Sequence, residues 1–181
     1  MCFICNRIKM KLIEPTMEYE KELQAFRQDF LQYEGSMDGS GSLKRYDNIR
    51  DWIEQLEQLK YIETTPSHLA PQTQYIYVRE EDKKVIGVIQ IRHFLNDSLR
   101  KFGGHIGYSV CPSERRKGYA TQMLKEALPI CKFLGIDDVL IMCSDNNVGS
   151  RKVIQNNGGV FETTVLEPER NISFERYWIH L

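Results

Sequence analysis

The chain has 181 residues, of which 41% are hydrophobic and 27% charged, enough for one domain with a sizeable core. Basic and acidic residues nearly cancel to a formal charge of −1, which argues against bulk binding to nucleic acid or an anionic membrane. No run approaches the ~18 apolar residues of a membrane helix, and the first residues carry neither charged leader nor cleavage site, so the cytoplasm is the expected location.

Residues 1–9 read as a poorly ordered extension, with a single domain over 10–181. Cys2 and Cys5 form a C-x-x-C pair, but no second cysteine pair or paired histidines complete a tetrahedral site, so no metal is expected. Leu12-Ile13 reads as a short strand, and Thr16 as the cap of a helix whose stripe is Tyr19, Leu23, Phe26 and Phe30. The Gly/Ser-rich stretch 35–42 is a loop, read either as a mobile lid or as a connector. A second helix buries Ile49, Trp52, Ile53, Leu56 and Leu59. The period then changes to that of strands at 75–78 and 85–91, joined by a charged turn. Residues 96–104 read as a loop, and His105 to Cys111 as a strand stopped by Pro112. Ala120, Leu124, Ala127, Leu128, Cys131 and Leu134 then recur at helical spacing until Gly135 ends the helix. An apolar strand at 139–143, a short helix from Asn147 to Asn156 and two strands, 160–165 and 172–179, complete the chain. This order predicts an α/β fold, a mixed sheet with helices on both faces, and the last strand, Phe174 to Ile179, is the candidate for pairing across a homodimer.

Between the strand at 105–111 and the helix lies Arg115-Arg116-Lys117-Gly118-Tyr119-Ala120-Thr121. A strand that enters a helix through glycine presents unpaired N–H groups and the positive dipole end. Cations there are unfavourable by ~0.3–1 kcal/mol each, so three together imply a compensating polyanion. A P-loop is absent, since Lys117 precedes its glycine, and the three spaced glycines of a dinucleotide fingerprint are missing.

This turn, of the form R-x-x-G-x-A, together with Asn147-Val148-Gly149-Ser150 on a helix closing at Gly158-Gly159, resembles the GNAT superfamily of acetyl-CoA-dependent N-acetyltransferases. The resemblance implies a mostly antiparallel sheet whose central strands splay apart at the cofactor. It implies that Arg115, Arg116, Lys117, Gly118, Tyr119, Ala120 and Thr121 surround the CoA pyrophosphate. Val110 and Cys111 would pair their backbone with the pantetheine arm, and Asn147 and Ser150 would reach it from the other side. The acceptor would be a primary amine of a small molecule or peptide, with non-catalytic CoA binding or ligand sensing as the alternative.

Acetyl transfer needs a base for the amine, donors for the thioester oxygen and an acid for the departing thiolate. The family's tyrosine acid falls at Ile154, leaving Tyr108, Tyr119 and Ser144 as unranked substitutes. For the base, His105 and His93 stand at neighbouring strand ends, with pKa values suited to neutral pH; each alternatively satisfies a backbone group. Glu114 reads as a solvated loop residue. No base stands ready to activate Cys111 or Cys143, so transfer is expected to be direct, without an acyl-enzyme.

Overall fold

A computed structural model describes residues 8–33 and 35–181. Cys2 and Cys5 lie outside them. The elements are β1 (Met10–Ile13), α1 (Glu20–Gln32), α2 (Ile49–Gln58), β2 (Gln72–Arg79), β3 (Val85–Arg92), α3 (Asp97–Phe102), β4 (Ile106–Val110), α4 (Tyr119–Phe133), β5 (Asp138–Ser144), α5 (Val148–Asn156), β6 (Val160–Glu167) and β7 (Ile172–His180). The seven strands form one sheet in the order β1-β2-β3-β4-β5-β7-β6.

All strand pairs among the described residues are antiparallel except β4 with β5. That parallel pair registers only at Ile106 and Ile141, after which the two strands diverge. The sheet is therefore split along β4 beyond Ile106.

The apolar strands see-saw between two cores. Tyr77, Ile86, Ile89, Ile91, Ile106 and Val110 pack with Met123, Leu124, Ala127 and Ile154 beneath α4 and α5. Ile76, Val78, Val85, Val88 and Cys111 turn the other way, against Leu23, Phe26, Phe30, Trp52 and Leu56 of α1 and α2. The near-continuous burial of β3 follows from having helices on both faces.

Three expectations are corrected. Residues 97–102 are helical, not loop, because the Asn96 side chain accepts from the Leu99 amide at 2.9 Å and caps a turn that the mixed composition conceals. Thr16 caps through its carbonyl, which accepts from the Tyr19 amide at 3.0 Å, and α1 proper starts after one 3₁₀ turn. The last strand, β7, lies between β5 and β6, so its edges are already paired; β1 and β6 are the sheet's edges. Beside β1, the Lys9 carbonyl accepts from the Glu80 amide at 2.9 Å.

The loop at 35–42 is docked onto the sheet. Trp52 Nε1 donates to the carbonyls of Ser40 and Gly41 at 3.1 and 3.0 Å. Gln74 Nε2 donates to the Gly39 carbonyl at 2.9 Å, and Ser109 Oγ to that of Asp38 at 2.8 Å. Gly39, at φ +65°, lies so close to β4 that an added Cβ would stand 1.9 Å from the Gly107 carbonyl oxygen. Two facing glycines make that approach feasible. The lid reading of this segment is replaced by that of a fixed wall.

Candidate active site

A cleft of about 970 Å³ opens where β4 and β5 part. Its walls are β4, the loop at 35–39, the turn before α4, the start of α5 and the β6–β7 hairpin. Strand geometry determines what points into it. Arg92 N–H donates to His105 O and Cys111 N–H to Ile86 O, so odd-numbered β4 residues spend their backbone groups on β3. The amides of Tyr108 and Val110 therefore face away from β3, into the split. Cys111, expected beside Val110, does not line this cleft. Its amide is bonded to Ile86, its carbonyl accepts from Glu114, and its Sγ donates to Asp29 Oδ2 at 2.6 Å.

The turn after β4 has two left-handed residues, Arg116 at φ +64° and Gly118 at φ +84°. No side-chain cap serves α4, so its first N–H groups remain available. The three cations are not equivalent. Arg115 lies over the rings of Tyr33 and Phe30, at 4.9 and 5.7 Å, and its Nε donates to the Val110 carbonyl at 3.2 Å. Lys117 Nζ is 2.8 Å from Glu114. Arg116 has no ion pair among the described residues and is exposed beside the helix start.

Glu114 is not the solvated residue expected. It is 5% exposed and meets Lys117, Lys84 and Arg79, at 2.8, 2.8 and 3.4 Å. Burial works to raise its pKa, but the Lys117 and Lys84 bonds and the neighbouring charges outweigh it and hold the carboxyl at about 2. The carboxylate thus pins the turn to β2 and β3. Its sequence signal was the pattern of cations three residues ahead and at both ends of the preceding hairpin.

Neither histidine lines the cleft. His105 is 8% exposed, and its Nδ1 accepts from the Leu140 amide at 2.9 Å while its own amide donates to the Leu140 carbonyl at 2.7 Å. The imidazole thus continues the β4–β5 pairing in place of backbone, with its proton on Nε2. Burial, reinforced by Arg100 and Arg92, lowers its pKa to about 4. His93 Nε2 meets Thr73 Oγ1 on β2 at 2.9 Å, and burial lowers its pKa as well. The two rings serve different neighbours, β5 and β2, and do not converge.

Of the substitutes for the missing acid, one is in position. Tyr108 spans the split, its hydroxyl 2.7 Å from Ser150 Oγ on α5. Burial raises its pKa above the ordinary phenol value, only partly opposed by Ser150. Tyr119 is buried under β2 near Arg79, and Ser144 Oγ donates to Asn146 at 2.9 Å. Ile154 is fully buried. Asn147 lines the cleft, and its Oδ1 caps α5 by accepting from the Ser150 amide at 3.0 Å. Cys143 lines the cleft, but burial pushes its thiol up to about 11.

Side chains divide by face. Tyr108, Val110 and Ser150 belong to the α4–α5 side, and Arg92, Gly107, Ser109 and Asp38 to the α1–α2 side. A ligand entering from each side would meet at the split. Arg92 and Asp38 were not singled out from sequence, since a strand-end arginine and a loop aspartate carry no local signature. Among the described residues there is no cluster suited to a metal ion and no helix long and apolar enough to cross a membrane.

A split mixed sheet with an uncapped, glycine-led helix at its mouth is the arrangement that the resemblance to GNAT acetyltransferases implies. The family model for the acetyltransferase (GNAT) domain matches residues 19–160, and the chain belongs to this family. Among solved structures, Mycobacterium smegmatis RimJ in complex with CoA-disulfide superposes with a TM-score of 0.68 at 18% identity, covering 94% of this chain and 81% of that one. RimL, a ribosomal L7/L12 α-N-protein acetyltransferase in complex with CoA, gives 0.67 at 14% identity over 95% and 94%. The microcin C7 self-immunity acetyltransferase MccE, in complex with acetyl-CoA and AMP, gives 0.66 at 16% identity over 96% and 93%. No curated protein matches the chain.

Proposed function

We propose that the domain over 10–181 is a cytoplasmic N-acetyltransferase that moves an acetyl group from acetyl-CoA to a primary amine of a small molecule or peptide, directly and without an acyl-enzyme. The observation that carries this reading is the split at Val110, with two strand amides facing it and an uncapped helix at its mouth. The residues fit a CoA donor. The amides of residues 116–121 and the Arg116 guanidinium would hold the pyrophosphate, while Val110 and Tyr108 would extend backbone pairing to the pantetheine arm. The Val110 amide is the candidate donor to the thioester oxygen. Asn147 and Ser150 would border the arm from α5. Arg115 and Lys117 shape the turn rather than contacting phosphate.

Tyr108 is the general acid in this reading. Its hydroxyl is in the split, its raised pKa keeps the proton at neutral pH, and a proton passed to the thiolate is replaced through Ser150. His105 and His93 drop out as bases, the first because its acceptor nitrogen is bonded to Leu140. The amine would be deprotonated by solvent at the open cleft. The high thiol pKa of Cys143 and the Asp29 bond of Cys111 support transfer without a cysteine intermediate.

The second reading, a CoA-binding sensor, is favoured by one observation, Ile154 at the tyrosine position. Release of free thiol from acetyl-CoA in the presence of a panel of amines separates the two. Amine-dependent release upholds the transferase; binding of acetyl-CoA with no release above hydrolysis upholds the sensor.

A further inference from the structure

The cleft carries more positive charge than a CoA donor uses. On its α1–α2 face, Arg92 projects from the end of β3 over Gly107, where an added Cβ would lie 3.9 Å from Arg92 Nη2. Gly107 is also the residue against which Gly39 packs, so the guanidinium lies beside the docked loop. Arg92 Nη1 donates to the Gly104 carbonyl at 3.0 Å, and among the described residues no carboxylate pairs with the head group. Burial lowers its pKa from the ordinary arginine value, and Asp38 on the same face opposes that shift. A partly buried, always protonated guanidinium without a counter-ion is costly to maintain. Asp38 lines the cleft as well, its Oδ2 accepting from Ser36 Oγ at 2.8 Å.

The other charges do not account for this. Arg115 is stacked on Tyr33, Arg170 is paired with Glu167, and Glu114 is spent on three cations. Among the described residues, the face opposite the donor therefore presents one unpaired guanidinium and one carboxylate. That pair matches a zwitterion, an amine whose own molecule carries an acid. It does not match a polyamine, which would require several free carboxylates. A single planar fork suits a carboxylate, taken through two parallel N–H bonds; a phosphate dianion would draw a second cation.

We propose that Arg92 is the specificity-determining residue of the acceptor side and that the acceptor is a primary amine bearing a carboxylate, with Asp38 facing the amine end. This rests on the transferase reading above. The amine would attack across the split at Val110 while the carboxylate is held over Gly107.

The test uses the full chain with saturating acetyl-CoA and matched acceptors that differ only in the acid: amino acids against their amides, and alanyl-glycine against alanyl-glycinamide. Spermidine and O-phosphoethanolamine are included as competing classes. The carboxylates are expected to exceed their amides by at least about tenfold in kcat/KM, the size of one lost bond to a charged group. Arg92→Gln should remove that preference by bringing the carboxylate rates down to those of the amides, and Arg92→Lys should restore part of it. A merely structural arginine would lower all rates together. The proposal is overturned if wild type shows no preference, if the preference survives in Arg92→Gln, or if spermidine or phosphoethanolamine is the best acceptor. If acetyl-CoA binds but no amine is turned over, calorimetry of the same pairs on the CoA-loaded protein decides. Carboxylate binding that is lost in Arg92→Gln upholds the site although the transferase reading fails, and equal or absent binding overturns it.

Discussion

At the scale of single residues, the chemistry of this protein turns on which polar groups are already spent. Tyr108 keeps its proton at the split: its hydroxyl lies 2.7 Å from Ser150 Oγ and donates to the Ser150 carbonyl only at 3.4 Å. Tyr108→Phe should lower kcat by about 10²-fold, with little change in the KM for acetyl-CoA, because a proton donor is lost and no donor-binding contact is. Steady-state kinetics with acetyl-CoA varied reads this directly. His105 and Glu114 are spent, and their cost appears as acid sensitivity. His105 is neutral and buried, with a folded pKa of about 4 against about 6.5 unfolded. The unfolded chain binds the extra proton, so stability is complete above pH 6.5 and falls between about 6.5 and 4 by up to ~3 kcal/mol. Glu114, at about 2 in the fold, contributes stability that is present above its unfolded pKa and is lost as pH falls through 2. Urea titrations across pH should show both segments, with His105→Gln flattening the upper one and Glu114→Gln the lower. Of these commitments only that of Glu114 left a mark in the sequence, in the cations around it. A histidine at a strand end is compatible with catalysis or with backbone pairing, and only the position of the Leu140 amide decides.

At the scale of elements, α1, α2 and α4 were legible because each buries one continuous face, and the central strands because burial on both faces leaves them as apolar runs. The split was legible only through the family resemblance, since divergence of β4 from β5 is a relation between two strands 30 residues apart and leaves no mark in either. The same holds for the loop at 35–42, whose composition suggests freedom although its carbonyls are held by Trp52 and Gln74. Trp52 is fully buried, and Trp52→Phe keeps an aromatic ring while removing both bonds to the loop and leaving a small cavity. The loss should be about 1–3 kcal/mol, because two carbonyls lose their donor. Since the loop walls only the α1–α2 side, the acceptor KM should rise while acetyl-CoA affinity stays within about twofold. Chemical denaturation together with calorimetry of acetyl-CoA checks both halves. Equal losses for donor and acceptor would mean that the loop governs the whole cleft.

At the scale of the whole molecule, the two cores share the central strands, with Ile86, Ile89 and Ile91 of β3 facing one and Val85 and Val88 the other. Neither helical layer can leave without uncovering the same strands, so heat should unfold the described domain in one transition. The split weakens the sheet where the donor would bind, which makes the melting temperature a direct reporter of occupancy. At a donor concentration of about 100 times Kd the native state gains about 2.7 kcal/mol by mass action. For a chain of this size that corresponds to an upward shift of about 5–10 °C. Among the described residues, Arg116 is the cation of the turn with neither an ion pair nor a ring beneath it, and a lost charge-assisted bond to phosphate weakens binding by about tenfold or more. Arg116→Ala should therefore cut the shift at the same donor concentration to about half or less. Lys117→Ala should cut it less, because its ammonium is turned onto Glu114. If instead the Lys117 variant loses the larger share, the ion pair with Glu114 must open on binding, and the turn rearranges around the phosphates rather than awaiting them.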